Sequence, residues 1–129
     1  MGFSLTVRNA LLDHYFGKSV LTPPDNYFVA LVKADDTEPV GGGYARVSTD
    51  SDDWNASADG VVTNLATVTF PTPTGTWGSI TKSKLFDAAS GGNEIAVGTL
   101  PYARDVTGIT PAPECDPGSL RMLLNDADA

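Results

Sequence analysis

Cysteine, histidine and basic residues are scarce in this chain of 129 residues, which holds one cysteine, one histidine and eight lysines and arginines. The lone Cys115 cannot form a disulfide within the chain, and it lacks the cysteine and histidine neighbours that a zinc site needs. With 16 aspartates and glutamates the net charge is −8, which repels nucleic-acid phosphates and anionic membrane surfaces. We therefore expect no disulfide, no metal site, no nucleic-acid partner and no membrane partner.

Long apolar runs are also missing. No window approaches the roughly 18–20 consecutive apolar residues that a membrane-spanning helix requires. The start of the chain, Met1 to Ser4, does not carry the basic and apolar regions of a signal peptide. These features predict a protein that stays soluble where it is made.

Glycine and proline, by contrast, are frequent, at 13 and 9 residues. They separate short apolar runs about every dozen residues, a spacing typical of all-β sandwiches. The length is that of one domain. We predict a single all-β domain over residues 1–129. It comprises a short N-terminal α-helix over 5–16, an antiparallel, jelly-roll-like β-sandwich over 26–124, and a polar tail over 125–129.

The helix is predicted by apolar residues that recur near helical spacing, with Ser4 as the N-cap and Gly17 as the stop signal. The run 26–33 predicts a strand buried on both faces, because it is aromatic and β-branched with few polar breaks. A second strand over 61–70 is expected to place Ala66, Val68 and Phe70 on one face. The other predicted elements are a longer strand over 76–87, either regular or bulged, a tight hairpin over 88–93, a strand over 94–100, and short strands over 106–110 and 120–124.

No motif carries catalytic chemistry. The tripeptide Gly17-Lys18-Ser19 resembles the end of a phosphate-binding loop, but that loop needs a glycine five residues earlier, where Leu12 stands. His14 and its neighbour Asp13 point about 100° apart on a helix, so they do not form a hydrolase pair. We therefore predict no enzyme, no catalytic residue and no cofactor. A small glycoside-processing domain is the alternative, and it would need two carboxylates facing each other across a cleft.

The acidic run 50–53 is the strongest candidate for a cation site. Its spacing fails that of a calcium-binding EF-hand loop, because Asn55 stands where such a loop has glycine. We interpret the run as a solvated loop held in place by the ring of Trp54.

Two further features have structural interpretations. The three consecutive glycines 41–43 indicate positions that need a positive φ or a close approach of two backbones. Tyr44, Trp54, Trp77 and Phe86 are interpreted as core residues, with a sugar-stacking platform as the alternative.

Five segments in one order carry a resemblance to a known family. They are Leu11-Leu12-Asp13-His14-Tyr15-Phe16-Gly17; Thr22-Pro23-Pro24 ahead of Tyr27-Phe28-Val29-Ala30-Leu31; Glu38-Pro39 with Gly42-Gly43-Tyr44-Ala45-Arg46-Val47; Phe70-Pro71-Thr72-Pro73-Thr74-Gly75-Thr76-Trp77-Gly78; and Leu85-Phe86-Asp87-Ala88-Ala89-Ser90-Gly91-Gly92-Asn93. Together they resemble small structural proteins of tailed bacteriophages, often labelled tail fiber proteins, some of which are similar to head decoration or cement proteins. The resemblance covers roughly residues 5–100, and the proline-rich segment that follows departs from it.

The resemblance implies a non-enzymatic virion protein, made in the host cytoplasm. The first expectation is a capsid decoration or cement protein that binds the outer surface of the phage head and stabilises it, with the major capsid protein as partner. The alternative is a tail-associated fiber or receptor-binding module. We expect a homo-oligomer, either a dimer or a trimer.

The expected contact surfaces are the helix, the glycine-rich segment and the loop around the first tryptophan. Residues 1–24 are predicted to contact a sister subunit or the capsid, the alternative being packing across the end of the sandwich. Arg46 has a second interpretation, as a buried or intersubunit ion-pair residue with an aspartate of the 50–53 run. The predicted interface residues are Leu5, Leu11, Tyr15, Phe16, Tyr44, Arg46 and Trp54.

Overall fold

The computed structural model describes residues 1–126, most of which lie in strands or in the turns that join them. Within these residues there is one α-helix, α1, which spans Leu5–Tyr15, and Ser51–Asp53 form one turn of 3-10 helix. The strands are β1 (Gly2–Phe3), β2 (Tyr27–Lys33), β3 (Val47–Thr49), β4 (Val61–Thr63), β5 (Val68–Thr69), β6 (Gly78–Phe86), β7 (Glu94–Val106), β8 (Glu114–Cys115) and β9 (Arg121–Asp126). The predicted all-β, sandwich-like class with one short N-terminal helix is confirmed.

Seven strands form one curled sheet in the order β3-β2-β6-β7-β1-β9-β4, and β5 pairs with β8 in a second, two-stranded sheet. Neighbouring strands run antiparallel except β1 and β9, which run parallel. The sequence predicted a sandwich of antiparallel strands, so the parallel pairing of β1 with β9 differs from that prediction. Two residues are too few to show a strand pattern, yet β1 joins β7 of the β6–β7 hairpin to the C-terminal strand β9.

The core lies against the central strands β2 and β6. Residues 29–32 of β2 are all buried, which confirms the prediction of a strand covered on both faces. The sequence left open whether the strand over 76–87 contains a bulge, and β6 has one, as a shift of register between Ile80 and Lys82. The hairpin over 88–93 is confirmed as the connection between β6 and β7, where the Asp87 carboxylate accepts hydrogen bonds from the backbone N–H of Asn93 at 2.7 Å and from its side-chain amide at 3.0 Å.

The predicted strand over 61–70 is wrong in its middle. The chain leaves the sheet after β4 because Asn64, only 1% exposed, turns its side chain inward. Its amide nitrogen donates to the carbonyl oxygens of Ala66 and Asp116, and its carbonyl oxygen accepts from the backbone N–H of Leu120, each at 2.9 Å. Ala66 is exposed as a result, whereas Val68, the first residue of β5, is buried as expected.

The predicted strand over 106–110 is also wrong. Strand β7 continues to Val106, and residues 107–110 form a turn. In that turn the backbone N–H of Thr110 donates to the carbonyl of Thr107 at 3.1 Å, and the hydroxyl of Thr110 accepts from the N–H of Thr107 at 2.9 Å. The last predicted strand is present as β9, which runs on into the predicted tail. The rest of that tail, 127–129, lies outside the described residues.

Candidate interaction surface

Helix α1 is attached to the sheet mainly at its first residues. The backbone N–H of Ser4 donates to the carbonyl of Ile95 in β7 at 2.8 Å, and the Ser4 hydroxyl caps the helix by accepting from the N–H of Val7 at 3.3 Å. The Arg8 guanidinium donates to the carbonyl of Phe3 at 3.2 Å. Gly17, at φ +74°, provides the predicted stop directly after the C-cap. No residue of the helix is buried.

One side of the helix faces the body of the protein. Val7, Ala10 and Leu11 are half-buried there, and Val7 packs against the core. Leu11, which the sequence predicts as an interface residue, therefore lies on the inner side of the helix.

The opposite side of the helix is apolar as well. At about 100° per residue, Leu5, Leu12 and Phe16 lie within about 40° of one another. They are 61%, 58% and 72% exposed, and Tyr15 is 82% exposed. The rings of Tyr15 and Phe16 pack edge to face with centroids 5.7 Å apart. We call Leu5, Leu12, Tyr15 and Phe16 the outer helix face. Sequence analysis missed Leu12, although its spacing of seven residues from Leu5 could have placed it there.

An open apolar groove of about 450 Å³ lies on one face of the curled sheet. None of the residues that line it belongs to α1. Strands from both halves of the sheet line it, together with the loop that carries Trp54. The lining residues are Phe3, Tyr27, Ser51, Trp54, Asn55, Ala56, Val62, Leu85, Ile95 and Met122. Sequence analysis missed this groove, because its strand residues are far apart in the chain and none is unusual by itself.

Trp54 holds one wall of the groove. Its indole N–H donates to the hydroxyl of Thr49 at 3.0 Å, and that hydroxyl donates to the carbonyl of Tyr27 at 2.7 Å. The acidic run 50–53 continues from this wall as a capped turn, in which the Asp50 carboxylate accepts from the N–H of Asp52 at 2.9 Å. The groove is therefore apolar inside and flanked by negative charge.

The structure places Tyr44 and Arg46 within the chain's own packing. The Arg46 side chain is 7% exposed and forms an ion pair with Glu38. Its Nε lies 3.0 Å from one carboxylate oxygen, while the Tyr44 hydroxyl donates to the other at 2.8 Å. The predicted ion pair of Arg46 with an aspartate of the 50–53 run is wrong, since Glu38 occupies that place.

These contacts change the acidity of Glu38 and Tyr44. Burial opposes the charged form of Glu38, but hydrogen bonds from Arg46 and Tyr44 outweigh it, so the pKa of Glu38 lies below its ordinary value. Burial, followed by the nearby Glu38 carboxylate, raises the pKa of Tyr44. The Glu38 carboxylate is therefore held charged beside the neutral phenol of Tyr44. We interpret this cluster as part of the packing of the fold.

Other candidate chemistry is sparse in the described part of the chain. Across residues 1–126, no three histidine, cysteine or acidic side chains are grouped to hold a metal ion. Cys115 is a free thiol, and burial, with the charge of Asp116, raises its pKa, which disfavours the reactive thiolate. No helix in this described range is long and apolar enough to cross a membrane.

Comparison with known proteins found one family. Residues 2–120 match the model of the family described as Podophage GP4 fiber I protein gp80. The match includes α1, the Glu38–Arg46 ion pair and all but one of the groove-lining residues. A search of curated proteins found no match.

Proposed function

The chain belongs to the podophage fiber I protein family matched over residues 2–120, and from this membership we propose that it is a non-enzymatic subunit of a phage fiber. Members of a phage fiber family are structural components of the virion. The family match is the observation that carries the proposal, because a fiber subunit works through its surfaces. The outer helix face, which exposes four large apolar side chains, supports this proposal.

A subunit of a fiber must bind its neighbours. Exposed leucine and aromatic side chains are typical of the centre of a protein interface, since they gain most from leaving water. We therefore propose residues 1–24 as the segment that joins this protein to the rest of the assembly. Trp54 belongs to the groove and is the second proposed contact.

Head decoration is the second candidate function. The short chain and its net charge of −8 favour it, because a small acidic protein remains dispersed at high copy number and can dock on basic patches of a shell. In this case the partner would be the major capsid protein, and the location would be the outer surface of the capsid.

Labelled antibody fragments raised against the purified protein distinguish these two locations by electron microscopy of intact virions. The fiber proposal predicts label on the tail at a few copies per particle. Label spread over the head, at hundreds of copies that persist after the tails are removed, would establish decoration in its place. Virions that carry no label and no peptide of this chain by mass spectrometry would overturn both proposals.

A variant series tests whether the outer helix face mediates incorporation. Phage assembled with Tyr15→Ser/Phe16→Ser should contain at least tenfold less of the protein than wild type. The matched control is Ile109→Ser, a side chain that is 96% exposed in a turn between strands, and it should be incorporated normally. Equal incorporation of all three proteins would rule out this surface.

A further inference from the structure

We propose that the outer helix face of one copy of this chain docks in the apolar groove of a second copy, while each helix stays attached to its own sheet. The proposal goes beyond a fiber role, because it assigns an occupant to the groove and applies to the purified protein. It gives a physical basis for the expected homo-oligomer.

The first argument is that the groove is open and apolar, with space for a large side chain. It is an open cavity of about 450 Å³, and most of its lining is apolar, from the rings of Phe3, Tyr27 and Trp54 to the side chains of Leu85 and Ile95. A volume of this size is typical of pockets that hold a bulky ligand. The chain's own helix does not line it.

The second argument is that the same chain carries a complementary convex surface. The outer helix face presents a leucine and two packed aromatic rings at Leu12, Tyr15 and Phe16, all more than half exposed. An amphipathic helix that lays such residues into a hydrophobic groove is a recurrent mode of recognition. The outer helix face and the groove are therefore both apolar, and one is convex where the other is concave.

The third argument is charge. Residues 1–24 carry Arg8 and Lys18 against Asp13, a net charge of +1, so the remaining residues carry −9 of the total of −8. Lys18 lies two residues beyond the outer helix face. The run 50–53, with three aspartates, is next to the wall of the groove, so Lys18 of a second copy is attracted to this rim.

The fourth argument is connectivity. Phe3 lines the groove, and Ser4 immediately caps the helix, so each helix begins at the edge of its own groove. Because the helix begins beside its own groove, two copies related by a symmetry axis can each place the helix in the groove of the other. Reciprocal docking of this kind closes into a dimer or a small ring in place of an open filament.

Light scattering coupled to size-exclusion chromatography tests the proposal on the full chain. The wild-type protein should elute with two or three times the chain mass of 13.5 kDa. The helix variant Leu12→Ser/Tyr15→Ser/Phe16→Ser should dissociate at concentrations at least tenfold higher than those at which wild type does, because it removes aromatic anchors. The groove variant Ala56→Arg should also dissociate at concentrations at least tenfold higher than wild type does. It places a positive charge in the groove, where residues 1–24, with their net charge of +1, dock.

Matched controls separate docking from folding. Leu12, Tyr15, Phe16 and Ala56 are exposed, so circular dichroism of both variants should match that of wild type, and so should thermal unfolding at concentrations low enough for wild type to be monomeric. The double variant Val40→Ser/Ile109→Ser removes two apolar side chains that are 91% and 96% exposed elsewhere on the surface, and it should keep the wild-type mass.

Mixing the two variants gives the most specific result. The helix variant retains an intact groove, and the groove variant retains an intact helix, so a tagged copy of one should capture the other. Neither should capture itself. A wild-type protein that is monomeric up to high concentration would overturn the proposal and leave another virion protein as the occupant. An oligomer that survives both variants would overturn it too.

Discussion

The guanidinium of Arg46 lies 3.7 Å from the centre of the Phe86 ring, at the end of β6. From this position it donates to the carbonyl oxygens of Ala88 and Gly91, both at 2.8 Å, while it is paired with Glu38. One side chain thus joins the loop before β3 to the β6–β7 hairpin. From this placement we expect Arg46 to stabilise the fold from within.

Replacing Arg46 by lysine should lower the free energy of unfolding by about 2 kcal/mol. Lysine keeps the charge but loses the planar stacking on Phe86 and the paired donors to Glu38 and the hairpin carbonyls. Urea denaturation measures the change. The control is Arg104→Lys, at an exposed position of β7, which should change stability by less than about 0.5 kcal/mol. Equal effects at the two positions would contradict the structural role.

Acid should destabilise the protein partly through Glu38. Because the folded-state pKa of Glu38 lies below its ordinary value of 4.5, the unfolded chain takes up the proton first as pH falls. Its stabilising contribution is present above about pH 4.5 and is lost as pH falls through the folded-state pKa. Wild type should therefore exceed Glu38→Gln in free energy of unfolding at pH 7, and the gap should shrink at pH 3. A gap that is constant with pH would contradict this assignment.

Adjacent glycines give a matched pair of substitutions. Gly41 and Gly42 both have positive φ, at +73° and +61°. A Cβ at Gly41 meets nothing within 4 Å, whereas one at Gly42 lies 3.0 Å from the backbone of Gly75 and from the Trp77 ring. Gly41→Ala should cost about 1 kcal/mol from backbone conformation alone. Gly42→Ala should cost at least about twice as much, and it should also weaken the bond from the Trp77 indole N–H to the Gly42 carbonyl, now 2.7 Å.

Calorimetry of the two alanine variants provides the measurement. Trp77 fluorescence should change only in the Gly42→Ala variant, because the buried indole loses its partner there. Similar unfolding temperatures for the two variants would show that the close backbone approach does not limit this site.

Asn64 should be among the least replaceable residues of the chain. Asn64→Ala leaves the N–H of Leu120 and the carbonyls of Ala66 and Asp116 without their partner, and we expect a loss of about 3 kcal/mol. Asn64→Asp keeps the shape but removes the amide donors, so it should be almost as damaging. The exposed Asn55, replaced by alanine, is the control. Chemical denaturation that ranks Asn55→Ala as the worst of the three would contradict this assignment.

Local signals in the sequence predicted much of the fold. Ser4 and Gly17 placed both ends of the helix, because capping depends on residues within one turn. The apolar run over 26–33 predicted a strand covered on both faces, and the glycine-rich turn over 88–93 predicted a hairpin. The positive φ values over 41–43 were likewise predicted, since only glycine adopts them without strain.

The proposed interaction surface could be predicted only in part. Leu5, Tyr15 and Phe16 lie on the outer helix face, and Trp54 lies in the groove, and their role as contact residues stays a prediction. Leu11 and Leu12 are neighbours in one apolar run, so composition could not tell which of them faces the body. The hydrogen bond from the backbone N–H of Ser4 to Ile95 in β7 sets the orientation of the helix, and so determines that Leu11 faces the body.

The chain's amino-acid pattern was enough to determine its class, its helix, most of its strands and its turns, because each of these depends on residues close together in sequence. Tertiary structure alone decided the partner of Arg46, the inward turn of Asn64, the parallel pairing of β1 with β9, and the apolar groove. In each of these cases the energy comes from contacts between segments that only folding brings together. A local sequence pattern does not specify which distant segment will contact it in the folded chain.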